Sequence, residues 1–292
     1  MTGQRLLWLI VLGTAAADFA LLIAERMTLA IRWPTILGTL LLYGLSIAYR
    51  HRSAPLASIS LLATQMVAFS YVGGILTYAA MAATPFPMAD TVLGRADAAL
   101  GFDWQWWFAF VNSHLALKLV FAFAYYSLPL QGLVLLGYMC VVDEKRAQEF
   151  LLAAMLSLIV ITPFMALLPA AGHHVAAVEP WRGEIQALRD HSMKRIGEVQ
   201  GIVTFPSFHT ALGVLFPYMF RRRRWFLPVL VLNVVMIGSV PTEGAHYVVD
   251  AIAGVIIALL ALAVAQWLLG RCAAASASRP PKNSLANDTA TD

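Results

Sequence analysis

Charge is scarce in this chain. Only 12% of its 292 residues are Asp, Glu, Lys or Arg, against about 25% in ordinary usage. That deficit excludes a water-soluble globule with a charged shell. Cysteine is nearly absent too. Cys140 and Cys272 are the only two, one at a helix end and one in the tail, so neither a disulfide nor a metal site is expected. The formal net charge is +4. In a chain this apolar, such an excess reports loop bias at a membrane, not nucleic-acid binding. No internal repeat is present.

What the chain does have is long apolar runs, 60% of it being hydrophobic. A run of about 18 or more apolar residues reads as a membrane helix. Eight spans are predicted, at 6–24, 28–49, 56–83, 118–142, 150–170, 207–220, 225–241 and 247–269. The expected fold class is therefore all-α, a polytopic helical bundle of about eight transmembrane helices. The sixth span is short for a hydrocarbon layer of roughly 30 Å, so its helix tilts or starts in a pocket.

Basic residues set the orientation. One side collects Arg5, Arg50, Arg52, Lys145, Arg146, Arg221 to Arg224, Arg271, Arg279 and Lys282, which is 12 of the 20 basic residues. Both termini are then cytoplasmic, and the long loops 84–117 and 171–206 lie outside. The small residues Ala15 to Ala17 before Asp18 resemble a signal-peptide cleavage site, but the apolar run continues to Ala24, which favours an uncleaved helix. Segment 102–110 packs six aromatics into nine residues. It is expected flat on the outer interface, as an aromatic belt or as a wall guiding a lipid headgroup. The polar, Ala/Ser/Pro-rich tail from Ala273 is expected to be disordered.

Two short motifs carry the chemistry. Phe205-Pro206-Ser207-Phe208-His209-Thr210 opens the sixth span, and His246-Tyr247-Val248-Val249-Asp250 opens the eighth. In the orientation above both fall on the outer face. His246 and Asp250 are spaced i, i+4 and share a helix face. The carboxylate holds one ring nitrogen protonated and leaves the other basic. Pro206 suits the first turn of a helix, whose free N–H groups attract phosphate. The Ser207 hydroxyl can add a hydrogen bond, and His209 lies in the same turn. Together they form a credible phosphoryl-transfer site for a lipid-linked phosphate. Separately, the first motif reads as a plain helix start and the second as a buried pair tying helix to loop.

These motifs resemble those of the type 2 phosphatidic acid phosphatase superfamily, whose pattern is K-x6-R-P, then P-S-G-H, then S-R-x5-H-x3-D. Pro206-Ser207-x-His209 and Ser239-x6-His246-x3-Asp250 match it. Phe208 replaces the glycine, Val240 replaces the third-motif arginine, and K-x6-R-P is missing. The likeness is closer to the inositol phosphorylceramide synthase branch (inositolphosphotransferases) and its bacterial relatives. Ala99-Leu100-Gly101-Phe102-Asp103-Trp104 and Gly244-x-His246-Tyr247 also look like that branch. The resemblance implies two N-terminal helices added to a six-helix phosphatase-like core. Residues 1–84 are then N-terminal transmembrane helices, 85–270 the catalytic membrane domain and 271–292 a cytoplasmic tail. It implies that His246 attacks phosphorus, that Asp250 orients it, and that His209 protonates the leaving alkoxide and then activates the acceptor. It implies no metal or other cofactor. The implied partners are a membrane phospholipid and, in a transferase, a lipid alcohol; in a phosphatase the acceptor is water.

Phosphoryl oxygens need cations, and two of the family's cationic positions have no match. The outer loop offers Arg182, Arg189, Lys194 and Arg195. Arg189, next to Asp190, resembles a segment of the closer branch and is the favoured clamp, with Lys194 and Arg195 behind it; the bland alternative is a solvated loop charge. His173, His174 and Glu179 match no common metal-ligand spacing. Asp18 is a functional-site candidate because it is an intramembrane carboxylate. Tyr125, Tyr126 and Gln131 either line a cleft or tie helices together. The sequence thus favours a membrane phosphotransferase or phosphatase, with a non-catalytic lipid-binding or transport protein as the rival. The Ala-rich composition points to a bacterial inner membrane and a periplasmic site; in a eukaryote the site would be lumenal.

Overall fold

The structure is a computed structural model that describes residues 2–173 and 179–277. Among these residues there are twelve helices: α1 (Gly3–Ala24), α2 (Trp33–Tyr49), α3 (Ala54–Ala83), α4 (Asp90–Ala99), α5 (Trp104–Ser113), α6 (Leu115–Tyr126), α7 (Leu128–Val142), α8 (Glu144–Leu167), α9 (Glu179–Arg189), α10 (Phe208–Met219), α11 (Phe226–Glu243) and α12 (Val248–Ala277). A two-residue parallel pairing joins β1 (Thr28–Leu29) to β2 (Arg195–Ile196).

Short-range chemistry sets the ends of several helices. Pro34, Pro55 and Pro129 sit in the first turns of α2, α3 and α7, where a missing N–H costs nothing. Asp103 and Asp143 cap α5 and α8 by accepting from the backbone N–H groups of Trp106 and Arg146, satisfying donors that a helix start leaves open. The cap at Asp143 begins α8 six residues before the predicted span at 150. Pro129, in the first turn of α7, divides the span predicted at 118–142 into two helices. Ser127 stays helical between α6 and α7, accepting from Gln131 N–H and donating to the Phe123 carbonyl.

Five helices, α1, α3, α8, α11 and α12, are long and apolar enough to cross a membrane. A sixth span is reached if α5 and α6, bent by 107° at His114, are taken as one. The other predicted spans fall on shorter helices: α2 with 17 residues, α6 and α7 with 12 and 15, and α10 with 12. The bend at His114 turns the aromatic helix α5 sharply from α6. The tail differs from expectation near its start. Helix α12 runs on through Ala277, because Ala273 to Ala277 are four alanines and a serine with no breaker. Residues 278–292 lie outside the described residues.

One apolar core unites α1, α3, α6, α7, α8, α10, α11 and α12, with α8 the most deeply buried of the long helices. The outward faces are just as apolar. Leu9, Leu12, Phe19, Leu40, Leu227, Val231, Ile256 and Leu260 are all exposed. Such a surface would drive association in water and suits contact with lipid. Asp18 lies in the buried stripe of α1 with Leu7, Val11 and Thr14. Neither of its oxygens has a hydrogen-bond partner among the described residues.

The bundle has two chemically distinct ends. At one, Arg146 donates to the carbonyls of Arg221 and Met219, Arg223 pairs with Asp143 at 3.2 Å, and Gln4 reaches Glu144. Helix α8 runs away from that end and α10 runs back towards it, so His209 and His246 lie at the other.

Candidate active site

The first turn of α12 is built from outside its own helix. Asp97 of α4 accepts from the N–H groups of Val248 (2.8 Å) and Val249 (3.0 Å). A carboxylate at a helix N-terminus satisfies open donors and opposes the positive end of the helix dipole. One face of α4 also carries Asp90, two turns earlier. It accepts from the N–H groups of Ala171 and Gly172 and from the Tyr247 hydroxyl at 3.1 Å. Asp90 and Asp97 thus hold the three residues that follow His246, Tyr247 to Val249. Neither was singled out in the sequence; the one available signal was their i, i+7 spacing on a short helix that faces α12.

His246 and Asp250 meet as their spacing predicts. Nδ1 of His246 lies 3.2 Å from Oδ2 of Asp250, and the same oxygen accepts from Tyr247 N–H at 2.9 Å. Both side chains are buried. Nδ1 is occupied by the carboxylate, so Nε2 is the nitrogen left to react. Asp250 Oδ1 is buried without a hydrogen-bond partner among the described residues. Ala245, just before the dyad, holds a left-handed φ of 53°, a conformation non-glycine residues seldom adopt. Its carbonyl accepts from His173 N–H at 2.8 Å.

The first motif is fastened to the second through the main chain. Ser207 N–H donates to the Asp250 carbonyl at 3.0 Å. Its hydroxyl oxygen caps α10, accepting from Thr210 N–H and Thr210 Oγ1, each at 3.2 Å. Ser207 is therefore a tether and a cap, fully buried. The approach is so close that a Cβ on Gly254 would sit 2.4 Å from the Ser207 carbonyl oxygen.

His209 stacks flat on Tyr125, with ring centroids 4.6 Å apart and planes 9° from parallel. Its ring centroid lies 6.4 Å from that of His246. That is too far for a direct hydrogen bond, yet one tetrahedral group between the rings can touch both, since reacting atoms approach to about 3–3.5 Å. Gly244 keeps this corner open: a Cβ there would lie 2.6 Å from His246 Cδ2 and 2.7 Å from the Tyr125 hydroxyl. Tyr125 thus belongs to the cleft. Gln131 ties helices instead, accepting from Asn233 at 2.8 Å and donating to Ser127 at 2.9 Å.

The structure does not gather the predicted cations at the histidines. Arg189 donates to the Phe86 carbonyl at 2.6 Å, and its Nη1 is buried without a partner among the described residues. Lys194 points to the Glu25 carbonyl at 3.4 Å, and Arg195 lies in the β1–β2 pairing. Arg182 comes nearer, bonded to the Gly172 carbonyl, in the loop that packs on Ala245. The loop after α9 is clasped to the N-terminal helices. Arg32 pairs with Glu198 at 2.7 Å and holds that carboxyl below its ordinary range. His174 lies outside the described residues, and His173 stacks on Trp104 and meets Tyr247 at a tilt of 51°. Among the described residues, no group of three His, Cys, Asp or Glu side chains could hold a metal ion.

Neither the curated proteins nor the solved structures contain a match to this chain. The model of a family described as the PAP2 superfamily does match, over residues 91–264. Helices α4 to α11 and the first half of α12, with both histidine motifs, fall inside that range. Members of this superfamily are typically phosphatase-type enzymes, and membership suggests phosphatase or phosphotransferase activity. The match covers more than half of the sequence, and with its apolar helices the chain is an integral membrane protein belonging to the PAP2 superfamily.

Proposed function

We propose that the chain is a lipid phosphotransferase working through a phosphohistidine on His246. The observation that carries this reading is the buried His246–Asp250 dyad at 3.2 Å, facing His209 across 6.4 Å. His246 Nε2 attacks phosphorus of a lipid phosphodiester, the bond from phosphorus to the leaving alkoxide breaks, and protonated His209 gives that oxygen its proton. Neutral His209 then takes the proton of an acceptor hydroxyl as its oxygen attacks phosphorus and the P–N bond breaks. Two easier displacements replace one hard one, and proton transfer by a placed histidine contributes roughly 10²–10⁴-fold. Asp250 keeps Nδ1 protonated and offsets the positive charge that His246 gains.

The acceptor favoured is a lipid alcohol, as in the inositolphosphotransferase-like branch, because Phe208 and Val240 depart from the phosphatase pattern. Val240 is fully buried, so the charge of the missing arginine must come from elsewhere. Arg182, bonded to the Gly172 carbonyl beside Ala245, is the proposed phosphate clamp nearest the dyad; Arg189, proposed with it, reaches the phosphate only by leaving the Phe86 carbonyl. Lys194 and Arg195 lie on the clasp and act at most through their field. The catalytic unit is residues 85–270, preceded by the N-terminal helices 1–84, in a bundle of eight spans if α2, α6 with α7, and α10 all cross. Both termini are cytoplasmic and the site faces the periplasm of a bacterial inner membrane, on the positive-inside argument.

The test uses the purified protein in lipid micelles beside His246→Ala. A panel of phosphatidyl lipids is offered with and without a lipid alcohol, following free phosphate and new phospholipid together. A new phosphodiester lipid that needs both the alcohol and His246 supports the transferase. Phosphate release lost in the variant identifies a phosphatase. Neither product across the panel would favour a non-catalytic lipid-binding or transport protein.

A further inference from the structure

A pocket of about 610 Å³ opens at the α4–α5 turn. Its walls include Asp97 of α4, Phe102 and Asp103 of the α4–α5 turn, Trp104 and Gln105 at the start of α5, and His173. Neither member of the dyad lines it, but Asp97 and His173 bond or contact the residues on either side of His246. His173 meets Tyr247 at a tilt of 51° with centroids 4.4 Å apart, and its N–H bonds the Ala245 carbonyl.

The lining has a definite charge. Two carboxylates and no lysine or arginine are among the described lining residues. Asp97 has both oxygens engaged by the N-terminus of α12, so it contributes field more than a new bond. Asp103 is exposed and uses Oδ1 to cap α5, which leaves its charge at the pocket rim. Trp104 is a fixed wall: Phe108 and His173 cover its two faces at 4.8 and 4.2 Å, and its Nε1 donates to the Pro241 carbonyl at 2.8 Å. A phosphate would meet like charge here. A positively charged headgroup meets opposite charge at the rim, with apolar ring edges for its methylenes or methyls.

We propose that this pocket receives the ammonium-bearing headgroup of a zwitterionic phospholipid whose phosphate lies at His246. The proposal deepens the reading of His246 as the reacting centre, but binding in the pocket can be measured without turnover. The chain is used as its inactive His246→Ala variant, in micelles. Short-chain phosphatidylethanolamine, phosphatidylglycerol and phosphatidate with identical acyl chains are titrated by calorimetry. Phosphatidylethanolamine should bind about tenfold more tightly than phosphatidylglycerol. Adding Asp103→Asn, which keeps an N-cap acceptor for α5, should cut that preference about fivefold, the size of a partly exposed charge contact, and leave phosphatidate unchanged. Equal binding of the three lipids, tighter phosphatidylglycerol binding, or a preference untouched by Asp103→Asn would each overturn the proposal. An ammonium preference in a protein that turns over no lipid would leave the pocket standing and count against phosphotransfer alone.

Discussion

Replacing Asp250 by Asn separates charge from geometry at the centre of the site. The side chain keeps its shape. Its amide oxygen, set where Oδ2 lies, can still accept from Tyr247 N–H and His246 Nδ1–H, at 2.9 and 3.2 Å in the native protein. The opposite amide orientation would orphan the Tyr247 N–H and present a donor to Nδ1, so it is disfavoured. What is lost is the negative charge beside an imidazole that becomes positive when it carries phosphorus. Unit charges 3.2 Å apart interact by about 5 kcal/mol at an effective dielectric of roughly 20. The amide dipole retains a part of that, which leaves a loss of about 3–4 kcal/mol, or roughly 10²–10³-fold in rate. The assay is rapid-quench formation of the phosphoenzyme in a single turnover, beside thermal unfolding in the same micelles. Folding should be unharmed, because both hydrogen bonds survive and a buried carboxylate oxygen without a partner, Oδ1, is neutralised. A rate within tenfold of native, in a normally folded variant, would refute the role given to Asp250.

Three further outcomes follow from the same geometry. Gly244→Ala should lower kcat at least about tenfold and cost about 1–3 kcal/mol of stability, since its Cβ would press on His246 and Tyr125; unchanged kinetics would show that the corner is not tight. Asp97→Ala should destabilise the protein by about 1–2 kcal/mol through loss of the α12 cap and lower kcat by disturbing the turn that carries Asp250; intact unfolding and intact activity together would contradict this. Ser192→Cys, on the exposed outer loop, should react with a membrane-impermeant maleimide added to intact cells while Cys272 does not, and the reverse labelling would invert the proposed topology.

The parts of this molecule visible in its sequence are those that depend on near neighbours. The i, i+4 spacing of His246 and Asp250 becomes a hydrogen-bonded pair, and the Pro-Ser start of α10 becomes a cap. Apolar length located the long helices. The remainder depends on partners far along the chain. Asp97 caps a helix that begins 151 residues later, and its acceptors are used by backbone N–H groups, which carry no sequence signal. Tyr125 was one of several polar residues in an apolar run until stacking on His209 set it apart from Gln131. Among the four outer-loop cations the sequence favoured Arg189 over Lys194 and Arg195, with nothing to show how folding would part them. Folding separates them, because β2 pairs with β1 and draws Lys194 and Arg195 to the N-terminal helices, while Arg182 is held at the Gly172 carbonyl.

The most direct test of the central claim is to trap the phosphorylated enzyme. The protein is mixed with a lipid carrying radiolabelled phosphorus, quenched in alkali to preserve phosphohistidine, and digested for peptide mapping. The account predicts an acid-labile label on the peptide containing His246, absent from His246→Ala and retained, with slower turnover, in His209→Ala. Label on another residue, or product formation by His246→Ala at the native rate, would contradict it.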